Sequence, residues 1–197
     1  MNRKANGLWN VVLSGYPNSG KTLLARRLVA EYQSFARVNV DVLREMLFSE
    51  TPPCRDEYTV YSLIVEVRDA LLRRGYSVVV DSTAPDNVTR EFLMSARIKR
   101  LNELLVVFNV DREVLIRRSV ERCGDANLVL AWDKRWEKPK KECCLFKFKS
   151  NDIEEFEGSY SVLTEVLESE THPFRPEFRP KMLPLKEIRK RLKNLFA

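Results

Sequence analysis

Eight residues near the start of the sequence have the types and spacing needed to hold the phosphates of a nucleotide. In order they are Gly15, Tyr16, Pro17, Asn18, Ser19, Gly20, Lys21 and Thr22, which fit the pattern G-x-x-x-x-G-K-T. Glycines let the backbone curl so that successive N–H groups point at phosphate oxygens, and a following helix adds its positive N-terminal end. Lys21 would neutralise the β and γ phosphates, and the Thr22 hydroxyl would bind Mg²⁺. The alternative is an ordinary glycine-rich turn, but the strand-like and helical flanks favour a nucleoside triphosphate site that runs from Gly15 to Leu23.

Two aspartates follow predicted strands and could belong to the same site. Asp41 comes directly after the second strand-like run, where a carboxylate could accept the proton of an acceptor hydroxyl. Arg44, one helical turn later, could place its planar fork on a phosphate or a substrate anion. Asp81 ends the third strand-like run, where enzymes with such loops hold Mg²⁺, often through water. Either aspartate could instead cap a helix. However, the first three predicted strands end in the phosphate loop, Asp41 and Asp81, and this favours one catalytic crevice at their carboxyl ends.

Two arginines close the helical pattern that follows the fourth predicted strand. Arg118 and Arg122 are four residues apart, so both can face one site and gather around a γ phosphate as its bond loosens. The charged segment 124–141 that follows would then form a mobile lid that excludes water. The alternative is a cationic surface at the C-terminal end of a helix, which the helix dipole favours in any case.

Strand-like apolar runs alternate with helical patterns along most of the sequence. The predicted strands cover 9–14, 37–40, 77–81, 104–110 and 145–148. The predicted helices cover 22–32, 42–48, 58–74, 87–100 and 112–122, and a weaker one covers 156–169. Nearly continuous apolar runs are typical of parallel strands covered on both faces, and strand–helix alternation implies right-handed crossovers. We therefore expect an α/β fold with a five-stranded parallel sheet sandwiched by helices, and ligands beyond the carboxyl ends of its strands.

The composition excludes several classes of protein and site. With 197 residues, 44% of them hydrophobic, the sequence suits one α/β domain with a short appendage. It has no apolar run of about eighteen residues, so no membrane span is expected, and no signal peptide is expected either. The cysteines at 54, 123, 143 and 144 lack C-x-x-C spacing, which predicts reduced thiols in a cytoplasmic protein rather than a structural zinc site.

The net charge of +6 is concentrated at the end of the sequence. Residues 172–197 include eight basic and two acidic side chains, so they carry the whole excess. Four prolines favour an extended arm over 172–184, and apolar residues at helical spacing favour an amphipathic helix over 185–196. A neutral body with a basic tail suggests a polyanionic partner, with RNA first among the candidates. The alternative is a solvated helix with a charged outer face.

Together these pieces resemble the P-loop kinases related to polynucleotide kinase, the zeta-toxin kinases and the O-phosphoseryl-tRNA kinases. The resemblance covers roughly residues 8–139, and its matching pieces are the loop at 15–22, Asn-Val-Asp-Val-Leu-Arg at 39–44, Val-Val-Val-Asp-Ser-Thr at 78–83, Leu-Ile-Arg-Arg-Ser-Val-Glu-Arg at 115–122 and Trp-Glu-Lys-Pro at 136–139. The arginine spacing is most similar to the seryl-tRNA kinase branch. Two features depart from the group: Ala84 stands where it often has asparagine, and a short arm and helix replace the longer C-terminal helical domain of the seryl-tRNA kinases.

The resemblance implies a role for each group. It implies ATP as the nucleotide and Mg²⁺ as its metal. Asp41 would be the general base, Arg44 would hold the acceptor or its phosphate, and Arg118 and Arg122 would act from the lid.

Three functions are compatible with these features. The first is an ATP-dependent kinase that phosphorylates a hydroxyl on RNA, either a 5′ end or a group carried by tRNA. The second is a small-molecule kinase of the same fold, acting on a sugar, a nucleoside or adenylylsulfate. The third is a nucleotide-dependent binding module without acceptor phosphorylation, although such a module would need neither Asp41 nor Arg44. In each case we expect residues 1–171 to form the P-loop kinase domain, with the lid at about 124–141, and residues 172–197 to form a basic arm and helix.

Overall fold

The computed structural model of the chain describes residues 3–140 and 144–169, so the arm and helix expected at 172–197 lie outside the described residues. The strands are β1 Leu8–Ser14, β2 Phe35–Asn39, β3 Ser77–Asp81, β4 Leu101–Asn109 and β5 Leu145–Lys149. The helices are α1 Lys21–Glu31, α2 Val40–Phe48, α3 Glu57–Arg73, α4 Asn87–Met94, α5 Arg112–Cys123, α6 Asn127–Asp133 and α7 Ile153–Glu168. Among these helices, none has the length and apolar character needed to cross a bilayer.

All five strands join one parallel sheet in the order β2-β3-β1-β4-β5. The central strand, β1, has no exposed side chain at Val11, Val12 or Leu13, because strands flank it and helices cover it. The predicted α/β fold with a five-stranded parallel sheet between helices is therefore confirmed.

Helices cover both faces of this sheet. On one face, Val80 of β3 packs in a cluster with Ile64 of α3 and other residues of α3 and α4. On the other, Val79 packs with Leu28 of α1 and Leu163 of α7. Successive strand residues thus point to opposite layers, and the loops that follow β1, β2 and β3 meet at one edge of the sheet.

Several predicted boundaries differ from the structure, and the largest difference is at the end of α4. The helix expected over 87–100 ends at Met94, and β4 begins at Leu101, earlier than the expected residue 104. The fully buried guanidinium of Arg68, on α3, donates to the carbonyls of Leu93 and Ser95, so a distant residue satisfies the end of α4. The early residues of β4 belong to the sheet because they pair with the first residues of β1.

Candidate active site

The loop between β1 and α1 has the backbone shape of an anion-binding cradle. Asn18 and Gly20 both adopt the left-handed conformation, with φ of 63° and 96°, and such turns bring successive N–H groups to one side. Gly15 is required for another reason: a Cβ atom there would lie 2.7 Å from the Cβ of Phe108 on β4. Both glycines of the pattern are thus explained by the packing and conformation of the loop.

The Lys21 side chain folds back over this loop. Its Nζ donates to the carbonyl oxygen of Tyr16 at 2.5 Å and to Oγ of Ser19 at 3.2 Å. Burial lowers the pKa of Lys21 to about 8, although the negative charges of Asp81 and Asp41 act in the opposite direction.

Asp81 lies at the carboxyl end of β3, on the same face of the sheet as α1, because it follows Val79 by two residues. Its side chain is almost fully buried, and its Oδ2 accepts hydrogen bonds from Arg37 and Asn39 on β2. The half-buried Thr22 lies in the first turn of α1.

These residues fit a magnesium ion that is held mainly by phosphates and water. A hydroxyl from Thr22 and a carboxylate from Asp81 are the hard oxygen ligands that Mg²⁺ prefers, and it commonly uses only one or two protein ligands. Among the described residues, no group of three or more His, Cys, Asp or Glu side chains forms a metal cage. The ligand types of Thr22 and Asp81 fit such an ion, and their binding of it beside a triphosphate stays a prediction from the sequence.

Asp41 and Arg44 lie on the first turns of α2, which Asn39 caps by accepting a hydrogen bond from the Val42 N–H. The Asp41 side chain is 65% exposed, whereas that of Arg44 is only 3% exposed. Arg44 donates from Nη1 to Oδ1 of Asp41 at 2.5 Å. The base expected from the sequence is thus accessible, and a buried arginine fixes one of its oxygens.

The fork of Arg44, which was expected to hold an acceptor or its phosphate, is already filled. Nε and Nη2 donate to the two carboxylate oxygens of Glu57, both at 2.9 Å, and both side chains are 3% exposed. Burial acts to lower the pKa of Arg44, but its pairing with Glu57 outweighs this and raises the pKa above the ordinary arginine value. In this arrangement Arg44 positions Asp41, and direct binding of a phosphate by Arg44 stays a prediction from the sequence.

The two arginines that were predicted to act on the γ phosphate both line a cleft beside the phosphate loop. The cleft has a volume of about 580 Å³ and is bounded by α1, α5 and the loop between β5 and α7; both Arg118 and Arg122 line it. Arg118 donates to the carbonyl oxygens of Asn18 (3.4 Å), Ser150 (2.7 Å) and Asn151 (3.1 Å). Desolvation lowers the pKa of Arg118, and the neighbouring charge of Arg117 acts in the same direction.

The predicted lid is packed against the phosphate loop. Tyr16 packs against Trp136 with ring centroids 4.9 Å apart and ring planes tilted by 34°, and its hydroxyl donates to Oδ1 of Asp133 at 3.0 Å. Burial, followed by the contact with Asp133, raises the pKa of Tyr16 to about 12. The Arg90 guanidinium lies over the Trp136 ring and donates to the Glu137 carbonyl. The segment 124–140 also contains α6, which the sequence did not indicate; its opening and closing stay a prediction.

Sequence reasoning missed two parts of the site. Glu57 gave no signal, because its partner Arg44 lies thirteen residues earlier and on another helix. The loop at 150–152 contributes Ser150, whose Oγ donates to the Ser19 carbonyl at 2.8 Å. That loop could have been found, because Asp152 caps α7 by accepting from the Glu155 N–H, a pattern visible as Asp-x-x-Glu.

Comparisons with known proteins agree with this geometry. A family model described as an AAA domain matches residues 11–138. No curated protein sequence matches the chain. Among solved structures, a gluconokinase from Sinorhizobium meliloti 1021 has 20% sequence identity and a TM-score of 0.60, with 84% of this chain and 97% of that chain covered.

Two further structures illustrate the range of similar proteins. The Mycobacterium tuberculosis APS kinase, solved with AMPPNP and APS, has 18% identity and a TM-score of 0.62, covering 84% of this chain and 100% of that chain. A chain of the Pnkp1/Rnl/Hen1 RNA repair complex has 19% identity and a TM-score of 0.54, covering 71% of this chain and 50% of that chain. At these identities the likeness shows the fold, which is that of P-loop kinases.

Proposed function

Because the chain belongs to the AAA domain family and has a P-loop kinase fold, we propose that it transfers the γ-phosphoryl group of ATP to an alcohol. One observation carries this proposal. The phosphate loop and the solvent-accessible carboxylate of Asp41 lie at the same edge of the sheet, after β1 and β2, and the charge of Asp41 acts to raise the pKa of Lys21. A cradle alone would bind a nucleotide, whereas a cradle with a general base can phosphorylate an acceptor.

Each residue has a defined part in this reaction. The loop N–H groups and Lys21 hold the β and γ phosphates, while Thr22 and Asp81 would hold Mg²⁺, which when bound neutralises charge on the phosphate oxygens. The acceptor oxygen forms a bond to the γ phosphorus as the bond to the β–γ bridging oxygen breaks. The proton of the acceptor hydroxyl passes to the Asp41 carboxylate. Arg118 and Arg122 offset the charge of the transferred group from the side of the cleft.

Arg44 and Glu57 hold the base in position for this step. Because Glu57 occupies two of the guanidinium donors of Arg44, the remaining Nη1 points to Asp41 with little freedom to turn. A carboxylate that is fixed before the substrate arrives loses less entropy in the transition state. We therefore assign positioning roles to Arg44 and Glu57.

The cleft beside the loop is the place for the nucleoside part of ATP. Its walls carry the exposed apolar side chains of Leu23 and Ile153. Such apolar groups are suited to the flat faces of a nucleobase. The volume of about 580 Å³ also lies within the range of small-ligand pockets.

RNA or tRNA is the first candidate acceptor. The basic character of residues 172–197 supports it, since such segments bind phosphate backbones. The fold shared with a chain of an RNA repair complex also supports it. An acceptor of this kind would bring its hydroxyl to Asp41 and leave its phosphates on the basic tail.

A small alcohol is the second candidate, and a pocket beside Asp41 favours it. This pocket, of about 320 Å³, lies between α2 and the residues that follow it. The carboxylates of Asp41, Glu45 and Glu50 line it, and its arginine, Arg44, is already paired. Such a lining repels phosphates and carboxylates, so it suits a neutral or cationic alcohol better than an anionic one.

Label transfer separates these acceptors. The protein is incubated with ATP radiolabelled in its γ phosphate, together with either total RNA or a pool of small metabolites. Labelled RNA whose yield falls steeply with salt supports the first candidate, because backbone contacts release counterions. Labelled metabolites with little salt dependence support the second. If neither fraction takes up more label than with Lys21→Ala, the chain is a nucleotide-binding module and the proposed transfer is wrong.

A further inference from the structure

We infer that Arg37 is a positioning residue that keeps the metal site weak until a triphosphate arrives. This inference rests on the proposed function, because it concerns the Mg²⁺ that Thr22 and Asp81 would hold. It assigns a role to a side chain that no motif in the sequence singled out.

The contacts of Asp81 are concentrated on one of its two oxygens. Oδ2 accepts from Nη2 of Arg37 at 2.6 Å, from Nε of Arg37 at 2.9 Å and from Nδ2 of Asn39 at 2.8 Å. The register of the sheet explains this geometry, because Asn39 lies opposite Asp81 and Arg37 is two residues earlier on the same face of β2. Three donors on one oxygen fix the rotation of the carboxylate, so Oδ1 is the oxygen left for a metal or its water shell.

Burial makes this pairing necessary. The Asp81 side chain is 3% exposed, and an ionised carboxylate in such a place is costly unless charged or polar partners surround it. Arg37, whose side chain is 21% exposed, supplies the charge, and Asn39 supplies a further hydrogen bond. Arg37 and Asn39 therefore compensate the burial of this carboxylate.

The same pairing opposes a metal ion on its own. A divalent cation at Oδ1 would meet the guanidinium of Arg37 and the ammonium of Lys21, both of which already interact with Asp81. Asp81 is buried, whereas Asp41 is mostly exposed. The protein alone therefore offers one buried carboxylate to a metal ion, which makes a weak site. A nucleoside triphosphate brings enough negative charge to offset both cations, and the ion then enters together with the nucleotide.

Manganese binding tests this role without any need for turnover. Mn²⁺ replaces Mg²⁺ at oxygen-rich sites, and its electron paramagnetic resonance signal gives the free ion directly. We titrate the full chain with Mn²⁺, with and without a non-hydrolysable ATP analogue, and compare Arg37→Gln with Arg37→Lys. Glutamine keeps a hydrogen-bond donor but removes the charge, whereas lysine keeps the charge but loses the fork. Arg27→Gln on α1 is the matched control, because Arg27 pairs with Glu31 and Glu157 away from the loop.

We expect Arg37→Gln to bind Mn²⁺ about three- to tenfold more tightly than the unaltered chain in the absence of nucleotide, and this difference to shrink when the nucleotide analogue is bound. Arg37→Lys and Arg27→Gln should stay within about twofold of the unaltered chain, because neither changes the charge beside Asp81. Equal Mn²⁺ affinity in all four proteins would overturn the inference while leaving the proposed function intact. If Arg37→Gln does not fold, tighter Mn²⁺ binding by Arg37→Lys would overturn it instead. Failure of the unaltered chain to bind the nucleotide analogue would overturn both.

Discussion

At the residue scale, the site contains buried charges that form ion pairs and one buried charge, that of Lys21, with different contacts. Asp81 is paired with Arg37, and Arg44 with Glu57, so each of these three buried charges has a charged partner. Lys21 differs, because its closest contacts are an uncharged carbonyl and a hydroxyl. An incoming phosphate would therefore stabilise the charged form of the buried Lys21 side chain.

This difference predicts how nucleotide affinity depends on pH. In the free protein the pKa of Lys21 is lowered to about 8, so the side chain loses its proton as the pH rises past that value. A bound triphosphate favours the charged form and raises this pKa, so binding takes up a proton above pH 8. Affinity should be nearly flat from pH 7 to 8 and then fall by up to about tenfold per pH unit.

Isothermal titration calorimetry with an ATP analogue, between pH 7 and 9.5, measures how this affinity depends on pH. The control is Lys21→Arg, whose guanidinium stays charged over this range, so whatever affinity it retains should not fall in the same way. An unaltered chain with the same affinity at pH 7.5 and pH 9.5 would contradict the role given to the Lys21 ammonium.

At the scale of elements, the sequence predicted those parts whose signals are local. The apolar runs identified all five strands, and the glycine pattern identified the turn between β1 and α1. The end of α4 was missed because Arg68, a residue of α3, satisfies its last carbonyls. Glu57 was missed for the same kind of reason, since a contact between two helices leaves no periodic trace in either one.

The link between α2 and α3 gives a prediction of its own. Glu57→Gln leaves the shape of the side chain but removes the charge that holds two donors of Arg44. Arg44 would then be free to turn and would no longer hold Asp41 in one position. We therefore expect kcat to fall about ten- to a hundredfold, while the KM for ATP changes little. The free energy of unfolding should also fall by about 2–4 kcal/mol, because a buried ion pair loses one partner.

Steady-state kinetics and urea unfolding of the same samples separate the two effects. Glu66→Gln, an exposed position on α3, is the matched control and should change neither quantity. A fall in stability with an unaltered kcat would show that Glu57 is structural only, which would contradict its positioning role.

At the scale of the whole molecule, the order of the strands creates the site. Because β1 lies between β3 and β4, the loops after β1 and β3 are neighbours, and β2 brings Asn39 and the start of α2 beside them. The sequence predicted this convergence, since parallel strands place their carboxyl ends at one edge. It could not predict that 124–140 packs on Tyr16, because the contact between the Tyr16 and Trp136 rings depends on how distant loops fold together.

The most direct test of the account compares Asp41→Asn with the unaltered chain, using the acceptor that takes up label. Asparagine can still accept the Arg44 hydrogen bond but is a far weaker base, so kcat should fall by about 10²- to 10⁴-fold. The affinity for an ATP analogue should stay within about twofold, and Glu165→Gln, an exposed site on α7, should change neither. An Asp41→Asn protein that phosphorylates the acceptor at the normal rate would contradict the claim that a carboxylate beside the phosphate loop takes the acceptor's proton.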